Sequence, residues 1–218
     1  MRHRIFIAIN FPEEIKRGLH SCQEKIEELF TPYRNEVSGA GPIRWTKPEN
    51  LHITLAFLGY LSDEELVEVL RITKEVASRH HPFSINLYKI LYGPPKMPYS
   101  ETKSLTGRRD KIANRPPRMI WVEGEKSKEL ANLQIDLEKS LTSSGKIKFE
   151  PEERSFTCHI TLARIRRWEF RQIEPEERPE VNEEINLSFE VNSIEVMESQ
   201  LKRAGPEYTV LESAPLGK

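Results

Sequence analysis

Two five-residue segments of this chain are identical: His52-Ile53-Thr54-Leu55-Ala56 and His159-Ile160-Thr161-Leu162-Ala163. Each places an imidazole and a hydroxyl two residues apart, and in a β-strand residues two apart share a face. His52 and Thr54 then point one way while Ile53, Leu55 and Phe57 point the other, and His159 and Thr161 are set in the same manner against Ile160 and Leu162. One face is apolar and the other carries chemistry. Because imidazole titrates near neutrality, one ring can be neutral and take a proton from water while the other is cationic and donates one to a leaving oxygen. Thr54 and Thr161 can donate hydrogen bonds to non-bridging phosphate oxygens, whose charge grows in the transition state. Such a set suits a phosphodiester, and a strained five-membered cyclic phosphate needs little more.

A single His-x-Thr carries no information in a chain with six His and ten Thr. Two copies with identical flanks, at matching places in a larger repeat, do. One alternative is a pair of partly buried histidines satisfied by neighbouring hydroxyls. Another is a two-histidine metal site, but neither motif contains a carboxylate or a further histidine to complete three ligands. Serine-hydrolase and nucleoside-triphosphate chemistries lack their Gly-x-Ser-x-Gly and Gly-x-x-x-x-Gly-Lys signatures. Cys158 adjoins His159, yet alternation turns it to the opposite face, which is a core position and not that of a nucleophile.

The elements that must position these residues follow from periodicity. Residues 4–10 read as a buried strand, and after Pro12 the apolar positions Ile15, Leu19, Cys22, Ile26 and Leu29 recur at helical spacing. Residues 31–42 are a loop, 43–46 a short strand, and Lys47-Pro48-Glu49-Asn50 a turn leading into a strand over 51–58. Ser62 with Glu65 forms a capping box for a helix burying Leu66, Val69, Leu70 and Val76. Further strands are expected over 83–91, 118–123 and 156–165, with a helix whose stripe is Leu130, Leu133, Leu137 and Leu141. Residues 168–184 read as irregular, and 185–197 and 208–211 as closing strands. Both halves thus run strand, amphipathic helix, loop, then the strand bearing His-Ile-Thr-Leu-Ala, which is an internal repeat. Two similar α+β lobes side by side, with central strands lining a shared cleft, are the expected architecture.

Composition bounds the function classes. With 218 residues, 37% hydrophobic and 31% charged, the chain can bury a sizeable core, and its apolar runs, such as 5–9 and 53–58, are far too short to span a membrane. A cytoplasmic location is expected, since residues 1–12 hold no apolar signal region. Two cysteines without zinc-ligand spacing indicate neither a disulfide framework nor a structural metal, and no cofactor is expected. A formal charge of −1 argues against wholesale coating of nucleic acid, although residues 96–118 hold seven Lys/Arg against two acids. The proline-rich stretch 96–117 is therefore expected to be a basic surface insertion that helps hold phosphates.

With these motifs in place, the chain resembles the two-histidine phosphoesterase superfamily, and within it the RNA 2′,3′-cyclic phosphodiesterases also described as 2′-5′ RNA ligases. The resemblance rests on both His-Ile-Thr-Leu runs, on Arg4-Ile5-Phe6-Ile7-Ala8-Ile9 and on Ile43-Arg44-Trp45 ahead of Pro48-Glu49-Asn50-Leu51. It extends to Arg118-Met119-Ile120-Trp121-Val122, to Ser199-Gln200-Leu201 and to Gly205-Pro206-Glu207-Tyr208. It departs in having Cys158 where the family usually has Pro, and in its long insertion. The resemblance implies a single bilobal α+β domain over 1–218, with two pseudo-symmetric antiparallel sheets, outer helices and a central cleft. It implies His52 as proton donor, His159 as proton acceptor that activates water, and RNA with a 2′,3′-cyclic phosphate end as substrate; a monomer is expected. Reversible 2′-5′ joining of RNA and catalytically idle binding of RNA ends are the alternative functions. Arg164 is expected by analogy to bind a substrate phosphate, although strict alternation aims it away from His159 and a strand end or bulge is required. Lys47, Arg166 and Arg167 read as surface charge; Phe6, Trp45 and Trp121 read as core aromatics that can alternatively stack a base.

Overall fold

The computed structural model describes residues 2–35, 39–94, 117–151, 156–203 and 205–217. The expected insertion over 96–117 therefore lies almost wholly outside the described residues. In chain order the elements are β1 (His3–Asn10), α1 (Glu13–Phe30), β2 (Ile43–Trp45), β3 (His52–Leu61), α2 (Asp63–Ser78) and β4 (Phe83–Gly93). There follow β5 (Met119–Gly124), α3 (Lys128–Ser143), β6 (His159–Ile165), α4 (Arg167–Arg171), β7 (Asn182–Val191), β8 (Ser193–Lys202) and β9 (Gly205–Pro215).

Among the described residues every pairing between strands is antiparallel, in the order β7-β4-β5-β6-β3-β1-β8-β9, with β2 attached to β6. The centre of this order is its thinnest point. β3 and β6 are bridged by one residue pair, Ile53 with Ile160, whereas the flanking pairs are long. The sheet is thus two halves joined at a seam, β3-β1-β8-β9 on one side and β7-β4-β5-β6 with β2 on the other. Ile53 and Ile160 are each the second residue of the repeated pentapeptide, so a pseudo-twofold axis runs between them and relates the lobes.

Helical stripes and strand alternation explain which face is covered. Ile53, Leu55, Ile160 and Leu162 join one core with Ile15, Leu19 and Ile26 of α1, Val69, Ile72 and Val76 of α2, and Leu130, Leu133, Leu137 and Leu141 of α3. The helices therefore lie on the apolar face and leave the histidine face open. α2 begins as expected, with the Ser62 hydroxyl accepting from the Glu65 N–H at 3.2 Å and the Glu65 carboxylate accepting from the Ser62 N–H at 2.7 Å, a reciprocal cap. The α1 stripe differs at its end: Phe30 is buried and Leu29 is 41% exposed, because a 3.6-residue period starting from Ile15, Leu19 and Ile26 reaches Phe30.

The C-terminal part is more regular than its sequence implies. Within 168–184 lie the end of the short helix α4 and the first residues of β7. The run 185–197 spans parts of β7 and β8, two strands that are not paired with each other and belong to opposite halves of the sheet, with Asn192 alone between them, and the last strand extends over Gly205–Pro215. No helix among the described residues is long and apolar enough to cross a membrane.

At the start of β1, His3 joins three elements. Its Nδ1 lies 2.7 Å from Glu198 Oε1 on β8, and its Nε2 2.9 Å from Asp63 Oδ1 at the start of α2. These carboxylates raise the imidazole above its ordinary value of 6.5. The resulting stabilisation is present in full below the unfolded value and is lost as pH rises through the raised folded one. His3→Gln should therefore lower the melting temperature more at about pH 6 than at about pH 8.5. Melting curves of both proteins across that range check this; an equal deficit at both ends would mean that the pair is not ionic.

Candidate active site

His52 opens β3 and His159 opens β6, so each ring stands at a strand end facing the seam. The Nδ1–H of His52 donates to the Asn50 carbonyl at 2.8 Å, and that of His159 to the Thr157 carbonyl at 2.9 Å. In each neutral ring the basic nitrogen is therefore Nε2. His52 Nε2 lies 3.0 Å from Thr54 Oγ1, and the Thr161 hydroxyl contacts Met119 Sδ at 3.8 Å. Continuing outward from the Ile53–Ile160 bridge, the antiparallel register sets His52 toward Thr161 and Thr54 toward His159. All four side chains line one cleft of about 410 Å³.

The two rings are supported differently. Trp121 stacks under His159, with centroids 4.0 Å apart and planes at 28°. Gly93 on the neighbouring strand makes that possible, since a Cβ there would collide with the indole. Among the described residues the buried Trp121 N–H has no hydrogen-bond partner, so the ring is held by packing and stacking. His52 instead lies against Phe6 at 4.9 Å and meets Tyr208 edge-on at 5.3 Å. Burial and the nearby His159 hold His52 below the usual imidazole value, with the Asn50 carbonyl opposing them. Among the three expected aromatics, Phe6 and Trp121 are buried and serve the histidines, while half-buried Trp45 lines the cleft.

Strict alternation fails at several places, and two of the failures shape the site. Along β6, Thr161 pairs with Trp121 and Ala163 with Ile120, so Leu162 is an extra residue. Leu162 and Ala163 are both fully buried, and beyond this bulge Arg164 emerges on the same face as His159 and Thr161 and lines the cleft. The bulge is clamped: the Leu162 carbonyl accepts from the Thr46 N–H at 2.8 Å and from Gln23 Nε2 at 2.9 Å. Along β3 the repeat does the same, since Ala8 pairs with Thr54 and Ile7 with Ala56. Phe57 is thereby turned into the cleft at 49% exposure, contrary to the expectation that it joins the apolar face. The twofold mate of Arg164 is therefore a phenylalanine, with the Arg4 guanidinium 4.9 Å from its ring centre.

Arg4, Arg44, Lys47 and Arg164 line the cleft, and among the described residues no carboxylate does. Cys158 is buried in the core, and burial pushes its thiol up to about 12, so it is unreactive near neutrality. Arg166 and Arg167 are exposed outside the cleft. Two positioning residues escaped the sequence reading. Gln23 sits at a polar position inside the apolar stripe of α1 and also donates to the Thr46 carbonyl at 2.8 Å. Asn50 is buried in the turn before His52 and donates to the Pro206 carbonyl at 2.8 Å, tying His52 to the start of β9. An amide where helical spacing calls for an apolar residue was the one available signal for Gln23.

A seam with pseudo-twofold symmetry, paired His-x-Thr strands and an acid-free basic cleft define a two-histidine phosphoesterase. The family model described as LigT-like phosphoesterase matches residues 13–100 and 120–208, and the chain belongs to that family. It is 32% identical over 181 residues to an RNA 2′,3′-cyclic phosphodiesterase of Aeropyrum pernix, covering 82% of this chain and 89% of that one. With the enzyme of the same name from Thermus thermophilus it shares 29% identity, over 98% of this chain and 90% of the relative. Among solved structures, a Thermus thermophilus protein superposes with a TM-score of 0.73 at 26% identity over 99% of both chains. Escherichia coli LigT complexed with 3′-AMP has the same fold, with a TM-score of 0.68 at 23% identity over all of both chains.

Proposed function

We propose that this chain hydrolyses 2′,3′-cyclic phosphate ends of RNA to the 2′-phosphate without a metal, with His52 as proton donor and His159 as proton acceptor. The observation that carries the reading is the pair of identical His-x-Thr strands meeting at Ile53 and Ile160, each imidazole oriented through Nδ1 by a main-chain carbonyl. In-line displacement at phosphorus puts the attacking and leaving oxygens on opposite sides, and two rings related by a twofold axis supply a base on one side and an acid on the other. His159 Nε2 takes a proton from the attacking water as the new P–O bond forms. His52 Nε2 gives its proton to the 3′ oxygen as the P–O3′ bond breaks, leaving phosphate on the 2′ oxygen. Thr54, Thr161 and Arg164 hold the non-bridging oxygens. Among the described residues no group of three or more His, Cys, Asp or Glu is arranged to hold an ion, and the relatives' names support the substrate class. The whole chain acts as one two-lobed domain, as a cytoplasmic monomer.

Because His52 is held below the ordinary imidazole range in the free protein, its proton is taken up together with the anionic substrate, whose charge favours the cationic ring. The test is to incubate pure protein with an oligonucleotide ending in a 2′,3′-cyclic phosphate in excess EDTA and follow it by phosphorus NMR. A 2′-phosphate product with undiminished turnover is expected. Loss of turnover restored by one divalent ion, or a 3′-phosphate product, would overturn the mechanism; net formation of 2′-5′ linkages from paired RNA ends would favour ligation, and binding without turnover an idle binder.

A further inference from the structure

β2 pairs with β6 so that Arg44 stands directly opposite Arg164. Directly opposed residues on antiparallel strands share a face at a Cα separation of about 4.5–5.5 Å, and like charges so placed are destabilising. Both side chains are exposed and both line the cleft, where no carboxylate of the described residues stands beside them. The neighbouring fold makes room for Arg44. A Cβ on Gly205, at the start of β9, would lie 2.8 Å from Arg44 Nη2, so the guanidinium reaches across from the β6 half to a glycine of the other half. Two unneutralised arginines placed side by side over an acid-free cleft are a poor arrangement for folding and a good one for holding two anionic groups.

We propose that Arg44 forms a second phosphate subsite, which binds the phosphodiester on the 5′ side of the terminal nucleotide while Arg164 holds the reacting phosphate. This rests on the functional reading above and extends it to polymer over mononucleotide selection. Arg164 shares its strand face with His159 and Thr161, so it is the nearer to the reaction centre; Arg44 lies one strand further out. An RNA end with a 2′,3′-cyclic phosphate carries its next phosphate on the 5′ oxygen of the same ribose, so a second anion subsite beside the first has one chemical group to take. Lys47, on the same rim, already has the Glu49 carboxylate 3.8 Å from its ammonium, so the two arginines are the cations left to face the ligand there. Because the subsite reads phosphate and not base edges, the selection it confers is independent of base sequence.

The test compares the affinities of wild type and Arg44→Gln for two hydrolysed products, a nucleoside 2′-phosphate and a dinucleotide ending in a 2′-phosphate. Binding is measured calorimetrically, so the outcome does not depend on turnover. Wild type is expected to prefer the dinucleotide by about ten- to hundredfold, the range of one charge-assisted phosphate contact. Arg44→Gln is expected to collapse that ratio toward one and to reduce the salt slope for the dinucleotide by about 0.7. Arg44→Lys is expected to restore part of it. An equal loss on both products would place Arg44 at the reacting phosphate, and an unaltered ratio would show that no second subsite exists; either result overturns the proposal. Separately, failure of wild type to open a cyclic mononucleotide would count against the functional reading alone.

Discussion

Replacing either His52 or His159 by alanine is expected to lower kcat/KM by more than the roughly 10²–10⁴-fold typical of one general acid or base. The reason is coupling: when one ring is lost, the remaining one has no complementary proton transfer to complete displacement at phosphorus. A double variant should then be little worse than either single one, the non-additivity expected of groups that act as a unit. Replacing Thr54 or Thr161 by alanine should cost less, since each supplies a hydrogen bond and not a proton. The wild-type pH profile should be a bell whose limbs belong to the pair and not to either ring. On its alkaline limb the pair loses the proton that the reactive form carries, so a change in the donor's affinity for that proton shifts the limb. Burial and His159 hold His52 low in the free protein, while bound phosphate favours its cationic form, so the alkaline limb of kcat/KM should lie at lower pH than that of kcat. Steady-state kinetics on a cyclic mononucleotide across that range measures both quantities. Independent, multiplicative losses in the double variant, or coincident alkaline limbs, would contradict the paired mechanism.

Arg164→Gln is expected to reduce kcat/KM by on the order of 10²-fold, with the larger share in kcat, because its charge-assisted hydrogen bonds strengthen as the non-bridging oxygens gain charge. The expectation depends on the bulge at Leu162. Without that extra residue Arg164 would point into the core side of the sheet, where Leu162 and Ile165 are buried. Arg164→Lys should recover part of the activity, limited by the loss of planar two-pronged geometry. The measurement is kcat and KM on the same cyclic mononucleotide, beside a melting curve. Activity within about twofold of wild type would assign Arg164 to the solvated surface, since one lost phosphate contact costs more than that.

How the site is built divides between what short-range pattern carries and what long-range pairing decides. The shared face of His52 with Thr54, and of His159 with Thr161, follows from a two-residue strand period, which is local and needs no knowledge of partners. The capping box of Ser62 and Glu65 and the leucine stripe from Leu130 to Leu141 are equally local, and both appear as expected. The repeated pentapeptide made the two-lobed arrangement legible as well, because a repeated unit packs as a repeated lobe. Register is different in kind. Whether a strand carries a bulge depends on residues far away in the chain: the one at Leu162 is held by Thr46 and by Gln23 of α1 and brings Arg164 into the cleft, as the one at Leu55 brings Phe57 in the mate lobe. The facing of Arg44 and Arg164, the support of His52 by Asn50 and Tyr208, and the seam at Ile53 and Ile160 likewise arise only when β2, β3, β6 and β9 are brought together. The placing of each histidine beside its threonine on one face was thus written in local spacing. The side chains that surround them in the cleft depend on tertiary pairing, because a one-residue slip in register turns every following side chain to the opposite face.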